Sequence, residues 1–346
     1  MSSRRSLLIA SLGLALASLS GFAHAQTVTL KVHHFLPPNS TAQKQLIEPW
    51  CAKLAAESDN RLKCQIYPSM QLGGAPPQLF DQARDGIADI VWTLPTYQAG
   101  RFLKSEVFEL PFMTKNSAGS SEAFWEYVQR YSLEEYRGLH LLAAHVHDGS
   151  HVHTTGKVIK TMEDMKGLKL RAPSRIGAKA LAALGSVPIQ MPIPQVPESL
   201  AKNVIDGLSS PWEVMPTLKL EEITTKHTET PPGQAKLSNA IFILGMNQAR
   251  YDSLPADLRA IIDRNSGAVL SRQAGQVWDS TIEPARQLAK ARGNTFTTLT
   301  DEEYQRWIRA TDPVIADWIK EVRTKGADGE ALLKAARALV TEYSSK

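Results

Sequence analysis

Two cysteines in 346 residues are too few for a disulfide-built scaffold or for a zinc site of four thiolates. No internal stretch reaches the roughly 18 uncharged apolar residues of a membrane-spanning helix. Neither sign of charge dominates: 39 Lys and Arg against 35 Asp and Glu leave +4, too mild for a nucleic-acid binder without a clustered basic face. Three enzyme signatures are missing as well: a Gly-x-Gly-x-x-Gly after a strand, a phosphate loop ending Gly-Lys-Ser/Thr, and a Gly-x-Ser-x-Gly nucleophile elbow. Cys51 and Cys64 lie close together near the start of the chain, a weak basis for Cys/His catalysis. What remains is an ordinary globular composition, 43% hydrophobic and 21% charged, in a chain long enough for two domains.

The first 25 residues read as a secretory signal peptide. Arg4 and Arg5 precede the apolar run from Ser6 to Leu16, and Ala23-His24-Ala25 is a small-x-small cleavage site before Gln26. The run is too short for a membrane anchor, and no cysteine follows the cut to carry a lipid. Ser3-Arg4-Arg5-Ser6-Leu7-Leu8 partly resembles a twin-arginine signal, so Sec and Tat export both stay open. Export places the mature chain in an oxidising compartment, the periplasm. There Cys51 and Cys64 either pair across the short loop between them or remain two buried thiols, since spacing alone does not bring their Cβ atoms together.

The mature chain alternates strands and helices. Thr27–His33 is a β-branched alternating strand, and Leu46, Ile47, Trp50 and Leu54 then fall at helical spacing. Arg61–Tyr67 is a second strand, Gly73-Gly74-Ala75-Pro76-Pro77 a turn opening a helix, and Ala88–Thr93 a third strand. This order means an α/β fold with parallel pairing. Further strands are expected at Gly138–His145 and Met165–Arg171, helices from Ala178 and over Pro197–Val204, and a strand buried on both faces at Asn239–Met246. A helical pattern marked by Leu258, Ile261, Ile262 and Val269 continues from Pro255 to about Arg292, with Pro284 expected to kink or divide it. A helix that long can bridge two domains.

Two features carry chemistry. His145-Val146-His147-Asp148-Gly149-Ser150-His151-Val152-His153 places four imidazoles in nine residues. Imidazole suits zinc and copper, although the spacing matches no established metal motif, and a strand edge with a hydrogen-bonding turn is the plainer reading. His33 and His34 raise the same question. The second feature is Lys166-Gly167-Leu168-Lys169-Leu170-Arg171-Ala172-Pro173. Arg171 ends a strand that Pro173 stops. A guanidinium at the carboxyl end of an α/β strand faces the crevice where such sheets bind ligands, and its fork fits a carboxylate. The competing role is an ordinary salt-bridge arginine.

Several segments resemble one family in order and spacing. Gln71-Leu72-Gly73-Gly74, Asp85-Gly86-Ile87-Ala88-Asp89, Leu110-Pro111-Phe112, Met162 to Arg171, Asn203-Val204-Ile205-Asp206-Gly207, the strand near Phe242 and the long helix after Pro255 are similar to DctP-type receptors. These are the solute-binding subunits of tripartite ATP-independent periplasmic (TRAP) transporters. The resemblance implies a two-lobed periplasmic binding protein fold, type II-like, with lobes joined by crossing strands and a long helix and closing by a hinge. It implies lobe I from residues 26–148 and about 236–275, and lobe II from 149–235 and about 276–346. The family's signature arginine, which forks the ligand carboxylate, falls on Arg171. A more variable upstream arginine falls on His151, and a frequent asparagine on Ser210. With one cation instead of two, a dianionic substrate is disfavoured.

The expected pocket then has a polar end of Arg171, Ser210 and His151. Its apolar end comes from Phe35, Trp92, Leu94, Ile193 and Trp212, with His34 beside Phe35. Trp92 and Trp212 have core packing as their alternative role. An apolar pocket with few polar groups fits a monocarboxylate with an apolar or aromatic body better than sialic acid or a C4-dicarboxylate. The expected partners are that ligand and the small and large membrane subunits of a TRAP transporter, with no nucleic acid and no cofactor. Some relatives bind an oxo-acid with a metal ion, for which Glu213 is a candidate ligand. Two other readings compete: an exported metal-dependent hydrolase using the His145–His153 cluster, and a sensor of the same fold that presents ligand to a signalling protein.

Overall fold

A computed structural model of the chain describes residues 27–344; the signal-peptide segment lies outside the described residues. The fold is α/β and two-lobed, each lobe built on its own sheet. The first sheet runs in the order β2 (Leu62–Tyr67), β1 (Val28–His34), β3 (Ile90–Thr93), β10 (Ile241–Asn247) and β4 (Leu139–Val146). β1 pairs in parallel with β2 and β3, while β10 enters antiparallel between β3 and β4. Every residue of β10 is buried, which explains its unbroken apolar sequence.

The second sheet has the order β11 (Thr295–Thr298), β9 (Lys226–Glu229), β5 (His151–Thr154), β8 (Gly207–Ser210), β6 (Lys169–Ala172) and β7 (Val187–Gln190). β6 is parallel to β7 and β8, and β5 is antiparallel to β8 and β9.

The chain passes between the sheets at residues 147–150 and 230–240, and the two crossings hold each other. Ser150 N donates to Ser238 O at 2.8 Å. Asn239 clasps the His147 backbone from both sides, its Oδ1 accepting from N and its Nδ2 donating to O, each at 3.2 Å. The helix Ala268–Ala291 spans both sheets. Near its start Ser271 Oγ accepts from Ala144 N at 3.0 Å. Near its end Arg286 forks Glu229 of β9 with two bonds of 2.9 Å. Gly275 lets this helix approach the helix Ser117–Tyr127, because a Cβ there would lie 2.3 Å from Ser117 O. Asp279 caps the same neighbour by accepting from Ser117 N and Ala118 N, both at 2.9 Å.

The helical pattern after Pro255 breaks at a different place from the one the sequence suggests. The helix Ala256–Arg264 ends and Ala268–Ala291 begins on either side of Gly267. Its φ of +78° turns the chain, and its N–H reaches Leu142 O at 2.7 Å. Pro284 sits inside the second helix without dividing it. The carbonyl deprived of an amide partner is that of Ser280, an exposed residue that water can serve. At the edge of the first sheet, Cys51 and Cys64 are joined by a disulfide that ties β2 to the helix Glu48–Glu57, with Cα atoms 5.8 Å apart.

Candidate functional site

Arg171 takes its position from β6. Its neighbours Leu170 and Ala172 are fully buried and pin the strand, and Pro173 ends it. The arginine is itself only 2% exposed. Its Nε donates to Met191 O at 3.0 Å and its Nη1 to Ser209 O at 3.2 Å, and the Tyr97 hydroxyl also bonds to it. These partners fix the guanidinium plane but carry no negative charge. Among the described residues no carboxylate forms an ion pair with it. Burial pulls its pKa down from the usual value, and Tyr97 works against that pull. A buried cation without a counter-ion is costly, and an incoming anion removes that cost.

The guanidinium faces a cavity of about 400 Å³, counting its opening to solvent. The first lobe gives it a wall of flat rings. Trp92 stacks on Phe242 at 4.9 Å and on Phe35 at 5.1 Å, with interplanar angles of 13° and 21°. The indole N–H of Trp92 donates to His145 Nε2 at 2.9 Å, which locks the ring. Leu94 and Tyr97 complete this side, and the Tyr97 hydroxyl accepts from Ile193 N across the gap at 3.1 Å. The second lobe contributes Arg171, Ile193, Ser209, Ser210 and Glu213. Ser209 Oγ, Ser150 Oγ and Glu213 Oε1 are buried without a partner among the described residues. Burial pushes the Glu213 carboxyl up to about 7, opposed only by the Thr41 hydroxyl.

Six of the expected residues therefore meet in one cavity: Arg171, Ser210, Phe35, Trp92, Leu94 and Ile193. Three expected residues lie elsewhere. His34 is buried beside the cavity, with Nε2 on Gln43 Oε1 at 3.0 Å and Nδ1 accepting from Leu36 N at 3.3 Å. Desolvation draws its pKa down to about 4, so it is a neutral packing group.

Trp212 is 0% exposed. The chain turns at Pro211 and sends the indole into a pile with His153, His227 and Phe296, centroids 4.8–5.4 Å away. Its N–H needs a partner and finds Glu229 at 2.8 Å. His151 follows it to that side, 6.2 Å from the indole. The tryptophan is core, and His151 does not stand in for a second arginine. Ser210 is in the wall, but its hydroxyl is turned to Pro211 O at 3.3 Å and Met215 Sδ at 3.5 Å. The free hydroxyl belongs to Ser209.

The four clustered imidazoles diverge. His145 serves Trp92. His153 meets His227, Nδ1 to Nδ1, at 2.8 Å. Among the described residues no group of three or more His, Cys, Asp or Glu is arranged to hold a metal ion. His147 alone reaches the cavity. Its Nδ1 accepts from Gly149 N at 2.8 Å, so the neutral ring carries its hydrogen on Nε2. The pairing of a histidine with a glycine two residues on was the available signal for this donor. Tyr97 and Phe242 had none beyond being aromatic.

An uncompensated guanidinium at one side of a ring-walled cavity, between two α/β lobes joined by crossing segments, defines a receptor that encloses a small anionic solute. Residues 32–321 match the family described as bacterial extracellular solute-binding protein, family 7 (DctP), and the chain belongs to that family. It is similar over its length to solved relatives. One is a TRAP solute binding protein from Rhodoferax ferrireducens T118, in complex with copurified benzoate, at 44% identity and TM-score 0.91, covering 92% of this chain and 99% of that one. Another, from a marine metagenome and described as specific for aromatic acid ligands, holds 3-hydroxybenzoate. It is 41% identical with TM-score 0.90, covering 92% and 99%. The C4-dicarboxylate-binding periplasmic protein DctP of Rhodobacter capsulatus is 27% identical, covering 96% of this chain and 97% of the relative.

Proposed function

We propose that this protein is the periplasmic receptor of a TRAP transporter and captures an aromatic monocarboxylate. The observation that carries the reading is Arg171, buried, oriented by backbone carbonyls and without a carboxylate partner, beside a slot of stacked rings. The guanidinium takes the ligand's carboxylate, with Ser209 Oγ and His147 Nε2 as neighbouring donors, and the rings take its body. Two similar receptors hold benzoate and 3-hydroxybenzoate, which supports the aryl class. The C4-dicarboxylate class of more distant relatives suits this cavity less, because it has one cation. No step requires a general acid or base, so the protein binds and releases its ligand unchanged.

Delivery follows from closure. The first lobe (26–148 and about 236–275) and the second (149–235 and about 276–346) hinge at the two crossings and along the helix Ala268–Ala291. A ligand touching both walls favours the closed form through its differential affinity for it. The closed surface is what the small and large membrane subunits read. Residues 1–25 direct export and are cleaved.

A thermal-shift panel tests this reading. Benzoate, hydroxybenzoates and mandelate should raise the melting temperature, while succinate, malate and sugar acids should not. An equal response to all, or to none, would refute it.

A further inference from the structure

Besides Arg171, one carboxyl in the cavity wall is left without a role. Glu213 is 5% exposed, lines the cavity, and its Oε1 has no partner among the described residues. It begins the short helix Val214–Thr217 and leans on Thr41 of the first lobe. Glu213 and Arg171 both line the one cavity, and among the described residues they form no ion pair. Glu213 also lines a second, open cleft with Asn39, Thr41, Ser280 and Thr281, so it stands in the partition between that cleft and the cavity.

A ligand held by Arg171 through its carboxylate meets this orphan oxygen with the rest of its body. A bare ring leaves the oxygen buried and unpaired, which is unfavourable. A methyl group does the same. A second carboxylate adds like-charge repulsion. A hydroxyl satisfies it, because it donates to a carboxylate oxygen and both donates to and accepts from a carboxylic acid. Ser209 and Ser150 also carry unpartnered hydroxyls in this wall; Arg171 Nη1 bonds the Ser209 backbone carbonyl, and the Glu213 substitutions below separate the carboxyl from both.

We propose that Glu213 is a specificity residue that reads a hydroxyl on the ligand, so that the receptor selects hydroxy-substituted aromatic monocarboxylates over unsubstituted, methylated or dianionic ones. The inference rests on the aryl-acid reading of the cavity.

Titration calorimetry on the mature protein tests it with benzoate, 3- and 4-hydroxybenzoate, 3- and 4-methylbenzoate and benzene-1,3-dicarboxylate. At one ring position the hydroxy acid should bind at least roughly tenfold tighter than its methyl counterpart. Glu213→Gln, which keeps hydrogen-bonding atoms, should retain most of that ratio, and Glu213→Leu should bring it to about one. The ratio is taken within each protein, so a general loss of affinity does not enter it. A ratio of one at both positions in the wild type, or a preference surviving in Glu213→Leu, overturns the assignment of Glu213 while leaving the aryl-acid reading intact. Failure of the wild type to bind any of the six acids overturns that reading and this inference with it.

Discussion

The two walls of the cavity are built from different chemistry by different lobes. The first lobe presents Leu94 and the rings of Phe35, Trp92 and Phe242, locked against one another and against His145. The second presents Arg171, a cation without a counter-ion, and Ser209 and Glu213, each with an unpartnered oxygen. Stacked rings are satisfied before any ligand arrives, whereas a buried guanidinium and orphan oxygens are not. On the proposed reading, headgroup recognition dominates affinity, and the ring wall selects among the bodies of acids whose headgroup is accepted. Because the two contributions sit on opposite lobes, the proposed closure is what lets one ligand collect both.

The largest break comes from the polar wall. Arg171→Ala should weaken binding of an aryl carboxylate by at least a hundredfold, about 3 kcal/mol or more, since the ligand's charge is then buried without a counter-ion. Calorimetry with benzoate measures this, and an affinity within tenfold of wild type would remove Arg171 from the headgroup role. Reduction of Cys51–Cys64 acts on the other lobe. Closing a loop over a sequence separation of 13 is worth about 3 kcal/mol in the chain-entropy model. The melting temperature should fall on reduction while benzoate affinity holds, because the bond lies at the sheet edge and outside the cavity wall.

Glu213 sharpens the comparison through pH. Its carboxyl is raised from 4.5 to about 7 by burial. The native state thus holds this proton more tightly than the unfolded chain, and stability is lost as pH rises from about 4.5 through 7. Glu213→Gln removes that loss. The difference in unfolding free energy from denaturant titration, variant minus wild type, should grow between pH 5 and pH 8 by an amount on the order of 1–3 kcal/mol. A difference flat with pH would mean that the carboxyl ionises freely. The buried histidines impose the opposite slope. His34 and His227 are drawn down to about 4 by desolvation, so their contribution is lost as pH falls from 6.5 towards 4. The single substitution isolates the carboxylate from them.

Much of this was legible in the sequence because it rests on short-range rules. Alternation and turn residues outlined β1 to β3, and an arginine ending a strand before proline marked Arg171. What was hidden depended on where the chain turns. Trp212 and Glu213 are adjacent, and nothing in their identities says which one Pro211 sends into the cavity. The indole's need for a partner, met by Glu229, decides it. Ser209 and Ser210 pose the same problem one residue apart. His147 was visible as part of a cluster, yet its single role depends on one bond from Gly149. The helix break was mislocated because a proline's missing hydrogen bond is tolerable facing water, while a glycine at φ +78° ends a helix more cheaply.

The smallest expected effect falls on the ring wall and asks whether it recognises flatness or only fills space. Phe35 stacks on Trp92 at 5.1 Å, and Phe35→Leu keeps an apolar side chain of similar reach while removing the ring. Aromatic pairs contribute roughly 0.5–1.5 kcal/mol beyond burial, so benzoate affinity should drop about three- to tenfold. A branched aliphatic acid such as 3-methylbutanoate has the same headgroup but no face to stack, and its affinity should change less than twofold by the same reasoning. Calorimetry with both acids on both proteins gives the answer as a ratio. If the two affinities fall together, the first lobe supplies volume alone and the choice of aryl acids rests with the second. If only benzoate falls, the locked rings themselves are the selective surface.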